Sequence, residues 1–229
     1  NKKGFSTAVG DEGGFAPGID SAEEALDLIS SSIQEAGYEV DKDVTFALDC
    51  ASTELLKNKE YVFSNKEKLS SDELIEYLSN LANKYPITSV EDGLDENDWI
   101  GWESLTKKLG KKTQLVGDDL FVTNKDILQE GIDRNIANAV LVKINQIGTI
   151  SETFETICLA YQHNYKCVIS HRSGETEDNF IADLAVGTGA GQIKTGAPSR
   201  SDRTSKYNRL LMIDAMEDLE FLGRQELFN

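Results

Sequence analysis

The sequence predicts an α/β protein in which parallel strands and helices alternate and wind toward a (β/α) barrel. Short apolar runs alternate with amphipathic helical segments along nearly all of the 229 residues. Strand after strand ends in one charged side chain: Glu12 just past the first, then Asp49, Glu91, Asp118, Lys143, His171 and Lys194. From Glu91 onward these stand 27, 25, 28 and 23 residues apart, close to one βα repeat each. In a parallel barrel all such strand ends gather on the C-terminal rim, where barrel enzymes carry their sites. A doubly wound nucleotide-binding sheet fits less well, because G-D-E-G-G lacks the G-x-G-x-x-G form and no Walker A sequence occurs.

Taken in order, a short strand is expected at Ser6 to Val9, leading into the turn G-D-E-G-G-F-A-P (Gly10 to Pro17). A helix follows over Ser21 to Gly37, with Ala22, Leu26, Ile29, Ile33 and Ala36 on one face and a capping-box pattern in Ser21 and Glu24. Val44 to Leu48 reads as a strand ending in Asp49. Leu56 to Ser70 is polar around a Tyr61-Val62-Phe63 island, the mark of an excursion or short hairpin. A helix at Asp72 to Lys84 carries Leu74, Ile75, Leu78 and Leu81 behind a second capping box, Ser70 and Glu73. The strand Ile87 to Val90 precedes a helix from Asp98 to Leu109, and Gln114 to Val116 precedes one from Lys125 to Asp133. Ala139 to Val142 is Val-rich and apolar throughout, as a strand buried on both faces should be. Helices at Ser151 to Asn164, Asp178 to Ala185 and Asp202 to Met216 alternate with strands at Lys166 to Ser170 and Gln192 to Ile193. No linker composition divides the chain, so residues 1–229 read as one domain.

Composition narrows the class. A formal net charge of −17 disfavours nucleic acid and anionic membrane surfaces as partners. No stretch has transmembrane length, and three cysteines without metal-ligand spacing suit a reducing compartment. Cys50 reads as core, and His163, near a helix end, as structurally bland.

The strand-end residues carry the chemistry. Asp49, Glu91 and Asp118 close three successive strands and would converge. Any one acid there is a common helix cap, but three together repel unless a cation lies between them, and all-oxygen ligands favour Mg²⁺ or a similar hard ion. Asp92 and Asp119 read as caps or supporting partners. Lys143 ends a buried strand, where an ammonium is costly unless paired and where a lysine can be tuned into a base. A lysine snorkelling to the barrel rim is the simpler alternative. Lys143 and Lys194 stand beside the acids in barrel order, and a base next to a divalent ion suits removal of a proton α to a carboxylate. Glu12 is a candidate general acid, or a member of a dyad delivering a proton to a leaving hydroxyl. His171, Arg172 and Ser173 supply donors suited to carboxylate or phosphate.

The stretches G-D-E-G-G-F-A-P, A-L-D-C-A (Ala47 to Ala51), S-V-E-D-G (Ser89 to Gly93), V-G-D-D-L-F-V-T-N (Val116 to Asn124), L-V-K-I-N-Q-I-G-T (Leu141 to Thr149), S-H-R-S-G-E-T-E-D (Ser170 to Asp178) and G-Q-I-K-T-G (Gly191 to Gly196) together resemble the enolase (phosphopyruvate hydratase) family, in its bacterial form. The resemblance implies a (β/α)8 TIM-like barrel, incomplete at its N-terminal end, since family members begin with an αβ domain and an early barrel segment not seen here. It also implies reversible dehydration of 2-phosphoglycerate to phosphoenolpyruvate. Lys143 would take the C2 proton and Glu12 would assist loss of the C3 hydroxyl. Asp49, Glu91 and Asp118 would hold a structural Mg²⁺, and a second Mg²⁺ would arrive with substrate. Arg172 and Ser173 would meet the phosphate, with His171, Lys194, Glu91 and Asp118 lining the substrate site and Lys194 facing the carboxylate. A lysine base with Mg²⁺ around an ene-diolate is the superfamily's established chemistry and is not something the spacing reveals.

The resemblance further implies a cytoplasmic homo-oligomer, a dimer or an octamer of dimers, with secreted or cell-surface placement as the alternative. Two other readings stand beside it. A superfamily enzyme on another acid would carry an early K-x-K, which is absent in place. A non-catalytic role would make the chain a surface adhesin, a plasminogen binder or a partner of an RNA-degrading complex. The ending Gln225 to Asn229 lacks the terminal lysine associated with plasminogen binding.

Overall fold

In the computed structural model the described residues are 4–63 and 66–227. Ser64 and Asn65 of the expected excursion lie outside them, as do Phe228 and Asn229, on which the terminal-lysine argument rests. The elements run α1 (Ala22–Glu35), β1 (Phe46–Asp49), α2 (Ser52–Leu55), then β2 (Leu56–Lys57), β3 (Glu60–Val62) and β4 (Lys68–Leu69). Next come α3 (Ser71–Lys84), β5 (Ile87–Glu91), α4 (Trp99–Leu109), β6 (Gln114–Gly117), α5 (Lys125–Asp133) and β7 (Ala139–Val142). The chain continues through α6 (Ile144–Ile147), α7 (Ile150–Gln162), β8 (Lys166–Ser170), α8 (Phe180–Gly187), β9 (Ile193–Lys194) and α9 (Ser201–Met216).

Strands β1, β5, β6, β7, β8 and β9 pair in that order, all parallel, into a six-stranded sheet with helical crossovers. The sheet curls into a half-barrel that does not close on itself among the described residues. Its curl is deep enough that Lys194 on one edge strand donates to Asp49 on the other, 2.7 Å away. The small β2-β3-β4 sheet is the expected excursion, antiparallel and packed beside α3 through the buried Tyr61.

Alternation along each strand decides what lies inside the curl. Val116, Ala139, Leu141 and Val168 form a small apolar layer on the concave face. Val140, Val142 and Ile169 on the opposite face join the main core under the helices, with Trp102, Leu105, Leu128 and Ile157. Below the mouth, Gln114 on β6 donates to Ser89 on β5 and exchanges two amide hydrogen bonds with Gln192, just before β9. The same alternation carries Asp49, Glu91, Asp118, Lys143 and Lys194 inward, each two residues beyond an inward neighbour.

Most element boundaries follow local chemistry. Ser70 and Glu73 make a complete capping box on α3, Asp98 caps α4 and Asn124 caps α5. On α1 the box is half made: Ser21 accepts from Glu24, while the Glu24 carboxylate reaches Asp20 instead of Ser21. Ile29 is 47% exposed, because neighbours cover α1 only along the narrow stripe of Ala22, Leu26 and Ile33. The strand expected at Ser6 to Val9 does not form. Val9 pairs only with Phe15, and bonds from Gly10 to Gly14 and from Ala16 to Ala8 close the loop locally, leaving nothing to join the sheet. The turn of helix α6 right after Lys143 was not foreseen. Its C-cap, Gly148, sits at φ +111°, a left-handed setting that suits glycine.

Candidate active site

Two lysine–carboxylate clamps stand at the strand ends. Lys194 Nζ donates to Asp49 Oδ2 and to Glu91 Oε1, each at 2.7 Å, and Lys143 Nζ donates to Asp118 Oδ2 at 2.5 Å. The Lys143 and Asp118 side chains are both largely buried. Desolvating such pairs offsets much of their attraction, so they are weak evidence of stabilisation and better explained by a use for the charges. Lys143 is held in turn by Thr123, whose hydroxyl accepts from the Lys143 backbone N–H at 2.9 Å. Thr123 and its neighbour Val122 have φ of +56° and +44°. Two β-branched residues in left-handed backbone cost about 1–3 kcal/mol each, strain that concentrates at functional turns.

A cavity of about 430 Å³ opens beside the clamps, lined by Glu12, Lys143, Asn145, His171, Arg172, Ser173 and Lys194 among others. Glu12 comes from far upstream. Its loop crosses the segment after β9, where Ala197 N–H donates to the Glu12 carbonyl at 2.9 Å. The crossing demands glycine: a Cβ on Gly196, at φ +78°, would sit 2.4 Å from that same carbonyl. Glu12 Oε1 accepts from Ser173 Oγ at 3.1 Å, and Oε2 faces His171 Nε2 at 3.4 Å. The facing His171 ring first, by its N–H and its charge when protonated, then the charge of Lys194 and the Ser173 hydroxyl, outweigh burial and hold the Glu12 carboxyl down to about 2. Glu12 is therefore an anion across the neutral range.

The cavity thus unites Glu12, Lys143, His171, Arg172, Ser173 and Lys194, while Asp49, Glu91 and Asp118 meet it through the two lysines. Sequence reading missed Asn145, which accepts from Arg172 Nη1 at 3.0 Å and so steers the guanidinium. It also missed Arg203, buried behind His171. Asn145 follows Lys143 by two positions, and that spacing was the available signal. Nothing in the periodicity of α9 marks Arg203. Cys50 is half-buried with its thiol pushed up to about 12 by burial, and His163 is the exposed C-cap of α7, so neither joins the site.

A hard cation suits the acids. Asp118 Oδ1 is buried without a hydrogen-bond partner, a state that costs free energy unless something positive meets the oxygen. Burial, with Asp49 and Asp118 adding to it, pushes Glu91 up to about 8. Among the described residues, the acids whose oxygens all lie within 4.8 Å of one another are Asp92, Asp118 and Asp119, rather than Asp49, Glu91 and Asp118. Both Asp92 oxygens are already engaged, accepting from the backbone N–H groups of Asp118 and Asp119 at 2.9 and 2.8 Å. Asp92 thus ties the end of β5 to the turn after β6. Asp92→Asn keeps the left-handed backbone, which asparagine tolerates, but turns an amide N–H toward one of those donors. It should lower the stability measured by urea unfolding by about 1–3 kcal/mol.

The raised carboxyls fix a pH dependence. Glu91, at about 8 against a reference of 4.5, binds its proton more tightly folded than unfolded, as does Asp92 at about 7 against 3.8. Their contribution is fully present below the reference values and is lost as pH rises through the folded ones. With a chelator present, the urea midpoint should fall between about pH 4.5 and about pH 8, by on the order of a few kcal/mol at most. Added Mg²⁺ should restore stability mainly at the upper end, and Glu91→Gln should flatten the slope. A midpoint that rises over this interval in chelator contradicts the expectation.

A curled parallel sheet, helices outside it and a charged pocket at the C-terminal strand ends define the (β/α)-barrel class with its site in the usual place. The family model described as "Enolase, C-terminal TIM barrel domain" matches residues 1–227, and the chain belongs to that family. Proteins named enolase from Legionella pneumophila strains Paris and Philadelphia 1 are each 59% identical to it over 227 residues. The strain Corby protein is 58% identical over the same length. Each alignment covers 99% of this chain and 54% of the relative, so the chain spans about half the length of the curated relatives it matches.

Proposed function

We propose that residues 1–229 are the barrel domain of an enolase, interconverting 2-phosphoglycerate and phosphoenolpyruvate. The observation that carries this reading is the pairing of Lys143 and Glu12 across one small cavity whose rim is otherwise cationic or hydrogen-bond donating. Lys143 is the C2 base. To act it must present a free nitrogen lone pair to C2, which as an amine it can do while still donating an N–H to Asp118. Glu12, ionised in the free protein, gains a proton when the anionic substrate settles beside it and passes that proton to the departing C3 hydroxyl. Arg172, steered by Asn145, and Ser173 bind the phosphate, and Lys194 and His171 meet the rest of the substrate. Asp49, Glu91 and Asp118 are the residues that would hold Mg²⁺, which supplies positive charge toward the substrate carboxylate as C2 loses its proton. A second ion would arrive with substrate.

The unpartnered Asp118 oxygen and the raised Glu91 favour a cation at these acids. Among the described residues no helix is long and apolar enough to cross a membrane. We place the protein in the cytoplasm, as a homo-oligomer, on the strength of the enolase reading. The test is phosphoenolpyruvate formation from 2-phosphoglycerate, with and without Mg²⁺, by this chain and by a version extended to the length of its relatives. Mg²⁺-dependent turnover by the extended protein supports the proposal. An inert but folded extended protein overturns it and leaves a non-catalytic binding role.

A further inference from the structure

Arg203 is 0% exposed and does not line the cavity, yet it carries a permanent charge. Its guanidinium knots two loops together. Nη1 donates to the Arg172 carbonyl at 3.0 Å and to His171 Nδ1. Nη2 donates to the carbonyls of Ser173 and Asp11, at 2.8 and 3.0 Å. Of these acceptors, only the ring nitrogen has a role that depends on where a proton sits. A guanidinium donates and never accepts, so Nδ1 must present its lone pair. The other ring nitrogen, Nε2, is buried without a well-aligned partner and points at Glu12 Oε2 from 3.4 Å. An ionised carboxylate only accepts, so it repels a lone pair and attracts an N–H. Both sides of the ring demand the same tautomer.

We propose that Arg203 is a positioning residue that locks His171 as the Nε2–H tautomer and aims that N–H at Glu12. The imidazole then faces the cavity as a donor, never as a base. With Ser173 on the other oxygen, both arms of the Glu12 carboxylate are fixed by residues that Arg203 itself grips. The consequence for turnover rests on the enolase reading; the tautomer does not.

The test is nitrogen NMR on ¹⁵N-histidine-labelled protein. The chain has two histidines, and His163→Gln identifies the signals of His171. In the unaltered protein at neutral pH, His171 should show an unprotonated Nδ1 and a protonated Nε2. Arg203→Lys keeps the charge but loses the fork, and should bring the Nδ1–H form into the spectrum. If Arg203→Lys does not fold, scalar coupling across the Arg203 Nη–H···Nδ1 hydrogen bond in the unaltered protein decides. A proton on Nδ1 in the unaltered protein overturns the proposal, as does an unchanged tautomer in folded Arg203→Lys or an absent coupling. Where the protein turns over 2-phosphoglycerate, Arg203→Lys should lower kcat about 10- to 100-fold with KM little changed. Failure of the enolase reading would leave the spectra as expected, and so can be told from failure of this one.

Discussion

Lys143→Ala is expected to lower 2-phosphoglycerate turnover by about 10²- to 10⁴-fold, the range for loss of a positioned general base. The substitution should also abolish exchange of the C2 hydrogen with solvent. Exchange needs only proton removal and return, so it isolates the step assigned to Lys143. The variant leaves the buried Asp118 without this lysine, which costs about 3–5 kcal/mol, so urea unfolding should show a folded but less stable protein beside the lost rate. Binding of phosphoenolpyruvate should persist, since Arg172, Ser173 and Lys194 remain. A Lys143→Ala protein that exchanges the C2 hydrogen at the original rate would remove lysine from the role of base.

Glu12→Gln should reduce turnover by a similar factor, but with the opposite isotope signature. The C2 hydrogen should keep exchanging with solvent, because Lys143 follows β7, Glu12 lies on an upstream loop and no hydrogen bond or ion pair among the described residues joins them, while loss of the C3 hydroxyl stalls. Glutamine retains a carbonyl for the Ser173 hydroxyl and leaves the loop docked through Ala197, although its amide N–H then faces the His171 ring where a carboxylate oxygen stood. Deuterium wash-in at C2 followed by mass spectrometry reads both residues in one experiment. Loss of exchange in Glu12→Gln would show that the two residues do not divide the reaction as proposed.

The barrel class was legible because the repeat was regular. Strand, charged end and helix recur at nearly one spacing from Glu91 to Lys194, and every sheet strand lies within a residue or two of its expected place. The apolar run at β7 is buried on both faces, as its composition requires. What failed was whatever depended on long-range closure. The segment before Gly10 has the composition of a strand, but its hydrogen bonds are satisfied within a glycine turn, so no neighbour recruits it. Ile29 obeys the helical period yet faces solvent, since period alone does not say how wide a stripe is covered. In the site, residues ending strands were readable because the fold itself gathers them. Arg203 was not: it sits on a helix flank, 32 residues from the histidine it grips, and only the folding of two loops over it gives it a purpose.

On the enolase reading, the two lysine–carboxylate clamps would make the mouth of the barrel an ion exchanger. An acid cluster that simply waited for metal would be strained by its own repulsion, whereas here tethered ammonium groups already meet one oxygen of each acid. On that reading, Mg²⁺ loaded at those acids would displace a resident counter-ion, and its affinity would be the difference of two attractions. Such a displacement would leave Lys143 and Lys194 beside a divalent cation, which favours the neutral amine that a base must be once the proton passes to solvent. Arming the base and loading the metal would then be a single equilibrium, with the lysine tethers setting the threshold ion concentration.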